Sequence, residues 1–326
     1  MPPPVSLHRD APSPSPDFRQ SAWDDHLADH VATRAAEWFA EDLGHECDWT
    51  SVGLIAAAAR SELAVVARSR GVIAGLPAAA VVARVAGGGL EFAPLVPEGS
   101  VVEAGMRIAR VSGPTRGLLA AERVLLNVLG RMAGVATATR RLVDAVAGTP
   151  CRVYDTRKTV PGWRLLDKYA VRMGGGWNHR MGLFDAILIK DNHLAALAAA
   201  GIAPADAVRR ARAFVAATFP SARAARMVVE IEIDSSAELE PVLAAAPDVV
   251  LLDNMTADEL AACVAVRGRL APTVALEASG GIRPETVNAI ARTGVDRVST
   301  GWPTHHAPWL DIALDWERER DRAGNE

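Results

Sequence analysis

The sequence of 326 residues has little cysteine, little lysine and no long apolar run, and each shortage excludes a class of protein. Cys47, Cys151 and Cys263 lie far apart and in no spacing typical of metal ligands. We therefore expect reduced thiols in a cytoplasmic protein, not a disulfide framework or a cysteine-bound metal. No apolar run approaches the roughly 18 residues that a transmembrane helix needs, so no membrane partner is expected. The proline-rich start lacks the basic and apolar regions of a secretory signal.

The charge balance excludes two further classes. With a formal net charge of −4, 50 % hydrophobic residues and 23 % charged residues, the composition is that of a folded chain and not of a disordered one. Domains that bind nucleic acid are usually strongly basic, so no nucleic-acid partner is expected. A chain of this length holds one large domain or two ordinary ones.

Lysine is confined to one part of the chain. Among 35 Lys and Arg residues, only Lys158, Lys168 and Lys190 are lysines. The window 152–193 holds eight basic residues against four aspartates, although the chain is acidic overall. Lysine and arginine are not interchangeable at compact phosphate sites or where a mobile amine is needed. The window therefore predicts a site for a small, multiply anionic substrate.

Hydrophobic periodicity divides the first half of the chain into regions. Residues 1–20 are predicted to form a disordered, proline-rich tail, and a helix is predicted from Trp23 to Gly44. Short β-type runs over residues 64–111 predict a small mixed α/β segment. A long helix is predicted over residues 117–146 and is apolar nearly all round.

A polar stripe interrupts this long helix. Arg123, Asn127 and Arg131 recur at helical spacing on an otherwise apolar surface. Such a stripe on a buried helix faces either a ligand or a salt bridge across a domain or subunit contact.

After residue 150 the pattern predicts strands that alternate with helices, which is typical of a parallel sheet, open or closed. The predicted strands are Cys151–Tyr154, Phe184–Ile189, Met227–Ile233, Asp248–Leu252, Val274–Glu277 and Val295–Ser299. Nearly every run ends in polar residues, and parallel strands have their C-terminal ends on the same side. We therefore expect a barrel enzyme with its site at the C-terminal mouth.

Glycine-rich turns follow the last two predicted strands. Ser279-Gly280-Gly281 and Ser299-Thr300-Gly301 each lead towards a helix, whose free backbone N–H groups attract an anion. The last two loops of an α/β barrel commonly form a phosphate site. The triplet Gly174–Gly176 predicts a further loop that wraps a ligand.

Together these motifs resemble the quinolinate phosphoribosyltransferase family, the carboxylating nicotinate-nucleotide pyrophosphorylases of NAD synthesis. The resemblance rests on Asp155-Thr-Arg-Lys-Thr159, Lys168-Tyr-Ala-Val171, Asn178-His-Arg180, Ile189-Lys-Asp-Asn-His193, Val229-Glu-Ile-Glu232, Leu251-Leu-Asp-Asn-Met255 and Leu276-Glu-Ala-Ser-Gly-Gly-Ile282. It implies a type II phosphoribosyltransferase fold. An N-terminal α/β sandwich over residues 21–135, joined by residues 305–326, would precede an incomplete-type parallel α/β barrel over residues 136–304.

The resemblance also implies the reaction and its residues. Quinolinate and phosphoribosyl pyrophosphate would give nicotinate mononucleotide, pyrophosphate and CO₂, with Mg²⁺ as cofactor. The residues implied for quinolinate are Arg123, Arg157, Lys158, His179, Arg180 and Lys190. Those implied for phosphoribosyl pyrophosphate are Lys158, Lys190, Glu232, Asp253, Asn254, Ser279, Gly280, Gly281, Thr300 and Gly301. Lys158, Lys190, Glu232 and Asp253 are implied to be catalytic, and Glu232 and Asp253 to bind Mg²⁺ partly through the substrate.

Two further expectations follow from the resemblance and the residues. The unit is expected to be a homodimer or a higher oligomer, in which Arg123 reaches the neighbour's site. Lys168, in a helical setting, is expected to form a structural ion pair. Trp302-Pro303 and Gly130 depart from the family pattern, which puts the shape of the phosphate loop and the contact around Arg131 in question.

Three alternatives are open at this point. A paralogue associated with molybdate transport shares much of the fold. Lys190 at the end of a barrel strand is also what a Schiff-base aldolase would show. A non-catalytic sensor of phosphorylated metabolites would keep the anion site, but it would gain nothing from buried carboxylates.

Overall fold

Two sheets of different kinds organise the chain, which a computed structural model describes over residues 16–316. The first part contains α1 (Asp25–Leu43), α2 (Trp49–Leu54), β1 (Arg60–Ala67), β2 (Gly71–Val72), α3 (Leu76–Ala86), β3 (Glu91–Pro94), β4 (Val101–Val102), β5 (Arg107–Pro114) and α4 (Thr115–Ala145). The second contains β6 (Arg152–Tyr154), α5 (Arg164–Met173), β7 (Ile187–Ile189), α6 (Asp191–Ala198), α7 (Pro204–Thr218), α8 (Ser221–Ala224), β8 (Val229–Ile233), α9 (Leu239–Ala244), β9 (Val249–Asp253), α10 (Ala257–Leu270), β10 (Ala275–Ser279), α11 (Val287–Ala291), β11 (Arg297–Ser299), α12 (Trp302–His305) and β12 (Ile312–Trp316). Across the described range, no helix is both long enough and apolar enough to cross a bilayer.

Helix α1 forms where the periodicity predicts it. The Asp24 side chain caps its first turn by accepting the Leu27 backbone N–H, and the helix ends at Gly44, whose φ of 60° suits glycine. The buried residues are Leu27, Val31, Ala35 and Phe39. They recur every four residues, so one face of the helix packs into the N-terminal core.

The N-terminal sheet is closed by the other end of the chain. Its strands are antiparallel in the order β12–β1–β5–β3, and Leu314 of β12 lies opposite Val65 of β1. Strand β12 therefore covers an edge of β1 that would otherwise expose unpaired backbone groups. Residues 317–326 lie outside the described range.

Helix α4 supports this returning segment. A Cβ on Gly134 would overlap the Pro308 carbonyl oxygen, and the Leu310 backbone N–H donates to the Gly130 carbonyl at 3.0 Å. The two glycines thus let backbone approach backbone. Gly130, which departs from the family pattern, accommodates the chain as it leaves the barrel for β12.

The second sheet is parallel and forms an incomplete barrel. Its order is β6–β11–β10–β9–β8–β7, and Trp177 extends it through a parallel bridge to Tyr154. Within residues 16–316, no strand pairs with the outer edge of β7. The predicted fold class, an N-terminal α/β sandwich with an incomplete-type parallel α/β barrel, is confirmed.

Helix α5 follows the first barrel strand but packs with the N-terminal part. Leu166, Tyr169, Ala170 and Val171 are buried in the N-terminal core, and α5 contacts α4 along its length. That core therefore extends well past residue 135. The loop that carries the basic motifs is fixed between the two parts.

Residues 16–20 are packed on the barrel, which corrects the prediction of a solvated tail over residues 1–20; residues 1–15 lie outside the described range. Phe18 is 5 % exposed and clusters with Tyr154, Ala186 and Val228. Ala186 and Val228 directly precede β7 and β8, so this contact lies at the N-terminal ends of those strands, opposite the polar mouth. Burying one phenyl ring contributes about 2 kcal/mol, which offsets part of the entropy cost of ordering this segment.

Candidate active site

The predicted site residues lie where the parallel strands end. Lys190 follows β7, Glu232 lies near the end of β8, Asp253 ends β9, Ser279 ends β10 and Thr300 follows β11. Every pairing in this sheet is parallel, so these positions share the C-terminal mouth of the barrel.

Arg157 and Arg180 form the cationic part of this mouth. Arg180 is 6 % exposed, and its Nη1 donates only a long hydrogen bond of 3.4 Å to the Ala186 carbonyl. Burial and the positive charge of Arg157 lower the pKa of Arg180, although a guanidinium stays charged at neutral pH. The buried Nε of Arg157 has no hydrogen-bond partner in the described part of the chain. Two adjacent guanidinium groups with unused donors suit planar carboxylates.

Lys190 is paired with a carboxylate across the strand ends. Its Nζ lies 2.5 Å from Oε2 of Glu232, whose side chain is 13 % exposed. A Schiff-base lysine needs a neutral amine held in an apolar or cationic setting. An ion-paired ammonium is suited to binding anionic oxygens, so this contact argues against the aldolase alternative.

Asp253, Asn254 and Gly280 form a tight corner between β9 and β10. Asn254 has a positive φ of 55°, and its side-chain N–H donates to Asp253 Oδ2 at 2.7 Å. Its backbone N–H donates to the Ser279 carbonyl at 2.9 Å. Gly280 has a φ of 96°, and a Cβ there would overlap Asn254 Oδ1. The corner therefore depends on glycine for both its backbone angle and its space.

The loop after β11 is tied to the loop after β6. Thr300 donates its backbone N–H to the Tyr154 carbonyl at 3.0 Å, and the Thr304 hydroxyl donates to the Lys158 carbonyl at 2.7 Å. Gly301 leaves room for the Lys158 side chain, whose Cβ would lie 3.2 Å from a Cβ at position 301. The Trp302 ring packs against the apolar core of the barrel, so this bulky residue is accommodated by that core.

A buried ion pair lies beneath the basic loop. Lys168 Nζ lies 2.5 Å from Asp155 Oδ1 and donates to the His179 carbonyl at 2.9 Å. The Asn178 side chain donates to the other Asp155 oxygen at 2.7 Å. Burial raises the pKa of Asp155 and lowers that of Lys168, and their mutual attraction opposes both shifts. The prediction that Lys168 forms a structural ion pair is confirmed.

His179 lies within a buried cluster of acidic residues inside the barrel. Its Nε2 is 3.1 Å from Oε2 of Glu230 and 3.5 Å from Oε1 of Glu277. Its Nδ1 accepts the Arg180 backbone N–H at 2.8 Å. Burial raises the pKa of Glu230, and the neighbouring Glu277 raises it further. Both ring nitrogens of His179, which is predicted to bind quinolinate, thus have partners within the protein.

The polar stripe of α4 divides in two. Arg131 forms a bidentate pair with buried Asp167 at 3.1 Å and also donates to the Thr304 carbonyl at 2.8 Å. Arg123 is exposed and makes no hydrogen bond or ion pair within residues 16–316. Arg131 therefore forms an internal salt bridge, whereas Arg123 has no charged partner among residues 16–316.

Two family models match the chain. The model described as "Quinolinate phosphoribosyl transferase, C-terminal domain" matches residues 135–315, and the corresponding N-terminal domain model matches residues 48–133. The chain belongs to the quinolinate phosphoribosyltransferase family. Nicotinate-nucleotide pyrophosphorylase (carboxylating) of Mycobacterium leprae is 42 % identical over 277 residues, which cover 84 % of this chain and 93 % of that protein.

Further members of the quinolinate phosphoribosyltransferase family agree with this assignment. The chloroplastic nicotinate-nucleotide pyrophosphorylase (carboxylating) of Arabidopsis thaliana is 36 % identical over 293 residues, covering 86 % of this chain and 81 % of the relative. The solved structure of nicotinate-nucleotide pyrophosphorylase from Francisella tularensis matches with a TM-score of 0.81 and 35 % identity. That match covers 92 % of this chain and 100 % of the other.

The residues beneath the site of this quinolinate phosphoribosyltransferase are not identified from the sequence. The sequence pattern places Asp17 and Phe18 in a tail and indicates no role for Glu277. The signal for Phe18 is small: one aromatic residue in a stretch of proline and serine, shortly before the Asp24 helix cap. The signal for Glu277 is a carboxylate within an otherwise apolar strand.

Proposed function

We propose that this chain transfers the phosphoribosyl group of phosphoribosyl pyrophosphate to quinolinate, with loss of pyrophosphate and CO₂, to form nicotinate mononucleotide for NAD synthesis. The names of its relatives support this pentosyltransferase activity. The observation that carries the proposal is the pair of neighbouring guanidinium groups of Arg157 and Arg180. Their repulsion is relieved when a doubly anionic ligand binds, which favours a dicarboxylate over a monocarboxylate such as nicotinate.

Each basic residue has a role in binding. Arg157 and Arg180 hold the quinolinate carboxylates by charge-assisted hydrogen bonds, each contributing about 1.5–3 kcal/mol. Lys158 and Lys190 neutralise the charge of pyrophosphate and carboxylate. With these contacts the ring nitrogen of quinolinate is presented to the anomeric carbon of the ribose.

The carboxylates act on the ribose. As the ring nitrogen attacks and pyrophosphate leaves, positive charge develops on the ribose, and fixed negative groups stabilise that transition state. Glu232 and Asp253 lie on the neighbouring strands β8 and β9, at the mouth of the barrel. Once the nitrogen is alkylated, its positive charge stabilises the electron pair left on the ring carbon when the adjacent carboxylate leaves as CO₂, and that carbon then takes a proton from water. No separate base is required for that step.

Glu232 and Asp253 also have the chemistry to hold Mg²⁺. This ion prefers oxygen ligands and is commonly bound by one or two carboxylates together with substrate phosphates. Both residues are partly accessible at the mouth, so their donor set fits the ion. When bound, Mg²⁺ would neutralise charge on the leaving pyrophosphate.

The 5′-phosphate site is formed by the two glycine-rich turns. Ser279, Gly280 and Gly281 follow β10, and Thr300 and Gly301 follow β11. Adjacent backbone N–H groups in such turns bind a phosphate without a charged side chain. Asn254 supports the first turn through its contact with Ser279.

Gly280→Ala is expected to raise the KM for phosphoribosyl pyrophosphate by about tenfold or more, because the new Cβ displaces Asn254 and the turn. The KM for quinolinate should change little. Gly201→Ala is the matched control: its φ of 71° is also positive, but its Cβ would meet nothing within 4 Å, and Gly201 lies outside both glycine-rich turns. Steady-state kinetics of both variants test this, and equal effects on the two substrates in Gly280→Ala would contradict the assignment.

Arg123 supports a homodimer or a higher oligomer. It is exposed on α4 and has no partner in the described part of its own chain, whereas Arg131 on the same stripe is neutralised internally. A second copy that receives Arg123 at its quinolinate site would explain the unpaired charge. We place the enzyme in the cytoplasm, where reduced Cys47, Cys151 and Cys263 are expected.

One assay tests the proposed function. The purified chain is mixed with quinolinate, phosphoribosyl pyrophosphate and Mg²⁺, and CO₂ release and nicotinate mononucleotide are followed. We expect turnover that nicotinate cannot replace, that EDTA abolishes and that added Mg²⁺ restores. Absence of turnover, with phosphoribosyl pyrophosphate still bound, would overturn the proposal and favour the paralogue associated with molybdate transport.

A further inference from the structure

A short segment closes the barrel at the end opposite the active-site mouth. Residues 17–21, which we call the N-terminal strap, precede α1 and contact the barrel at both ends of the segment. At one end, Asp17 accepts a hydrogen bond of 2.7 Å from the Tyr154 hydroxyl and pairs with Arg297 at 3.2 Å. These contacts fix the strap beneath β6 and β11.

The other end of the strap holds the loop that carries His179. The Gln20 side chain donates to the Asn178 carbonyl at 3.0 Å and accepts the Asn178 backbone N–H at 2.8 Å. The Ser21 backbone N–H donates to the Asn178 side-chain oxygen at 2.7 Å. The strap is therefore bound to the residue that directly precedes His179.

Between these ends, Phe18 forms the floor under His179. The two rings are stacked, with centroids 4.1 Å apart and planes 26° from parallel. Phe18 is 5 % exposed, and the residue His179 is equally buried. An aromatic face at this distance restricts rotation of the imidazole about its side-chain bonds.

The two ring nitrogens of His179 contact different groups. Nδ1 accepts the Arg180 backbone N–H at 2.8 Å. Nε2 lies 3.1 Å from Oε2 of Glu230 and 3.5 Å from Oε1 of Glu277, and both of these carboxylates are fully buried. A ring that is held on its face by Phe18 and at its edges by these groups has little freedom to rotate.

We propose that Phe18 is a positioning residue for the quinolinate site: it holds the His179 imidazole and, together with the contacts of the strap to Asn178, fixes the segment that carries Arg180. This inference rests on the proposed function of Arg180 in binding quinolinate.

The test compares variants of the full chain by steady-state kinetics. Phe18→Ala leaves a void below His179, so the KM for quinolinate should rise by about 10- to 100-fold, with the KM for phosphoribosyl pyrophosphate nearly unchanged. Phe18→Leu retains most of the buried volume and should recover part of the loss. Arg19→Ala is the matched control: Arg19 lies on the same strap, its side chain is 68 % exposed, and its one ion pair within residues 16–316 is with Asp24 at 3.7 Å.

A second measurement separates positioning from simple destabilisation. In ¹⁵N-histidine-labelled protein, the ring-nitrogen signals of His179, assigned with His179→Gln, should shift in Phe18→Leu relative to the parent chain and should stay unchanged in Arg19→Ala. If Phe18→Ala does not fold, Phe18→Leu supplies both readouts. The proposal is overturned if the Phe18 variants lose thermal stability while the KM for quinolinate stays at the parent value, or if both KM values rise equally. Because the parent enzyme is assayed in parallel, a failure of the proposed function is seen separately as a parent without turnover.

Discussion

Arg157→Ala is expected to abolish measurable quinolinate binding while phosphoribosyl pyrophosphate still binds. The variant removes one of two adjacent guanidinium groups, and a planar carboxylate loses its bidentate partner. Loss of two charge-assisted bonds costs about 3 kcal/mol or more, which lowers affinity by roughly 100-fold or more. In the proposed function, phosphoribosyl pyrophosphate is held mainly by the glycine-rich turns and by Glu232 and Asp253, which the substitution leaves in place.

Calorimetric titration with each ligand separately measures whether the affinity for quinolinate falls while the affinity for phosphoribosyl pyrophosphate is kept. Arg209→Ala is the control for loss of one positive charge, because Arg209 is an exposed residue of α7 paired only with Asp206. That variant should bind both ligands as the parent does. An equal loss of affinity for quinolinate and for phosphoribosyl pyrophosphate in Arg157→Ala would refute the assignment.

Lys168→Met is expected to lower the free energy of unfolding by about 3–5 kcal/mol, because it leaves the Asp155 carboxylate buried without its cation. Asp155 and Lys168 are both almost fully inaccessible, so water does not replace the lost partner. The His179 carbonyl also loses a donor. The effect should therefore reach the quinolinate site as well as the stability of the chain.

Urea denaturation at neutral pH measures this change. The double variant Asp155→Asn with Lys168→Met removes both charges and should regain part of the lost stability. Arg209→Met, which breaks an exposed pair, should change stability by only about 0–1 kcal/mol. A Lys168→Met chain as stable as the parent would show that Asp155 is not a buried carboxylate that needs this lysine.

The sequence predicts those features of the fold that depend on residues close together in the chain, such as helix faces and strand ends. The repeat of Leu27, Val31, Ala35 and Phe39 specifies a helix face without any knowledge of its partner. Likewise, apolar runs that end in Lys190, Glu232 and Asp253 specify strands whose ends meet, because parallel strands share a direction. The family motifs add the chemistry at those ends.

Contacts between residues that lie far apart in the chain cannot be predicted from such local patterns. Phe18 has no periodic neighbours, and its ring partner His179 lies far along the chain, so nothing local distinguishes it from a residue in a solvated tail. Arg123 and Arg131 occupy one stripe, yet only Arg131 meets a carboxylate, which α5 supplies. The position of Asp167 on a packed helix decides that difference, and helical spacing alone does not reveal it.

The pairing of β12 with β1 determines the order in which this protein can fold. Val65 is synthesised before the barrel and Leu314 after it, so the N-terminal sheet stays incomplete while the whole barrel emerges from the ribosome. During that interval β1 exposes an unpaired edge that another nascent chain could join. The high contact order of this pairing makes sheet closure a late and slow event. A chain that stops before β12 would therefore keep every side chain of the proposed site and still be prone to aggregate.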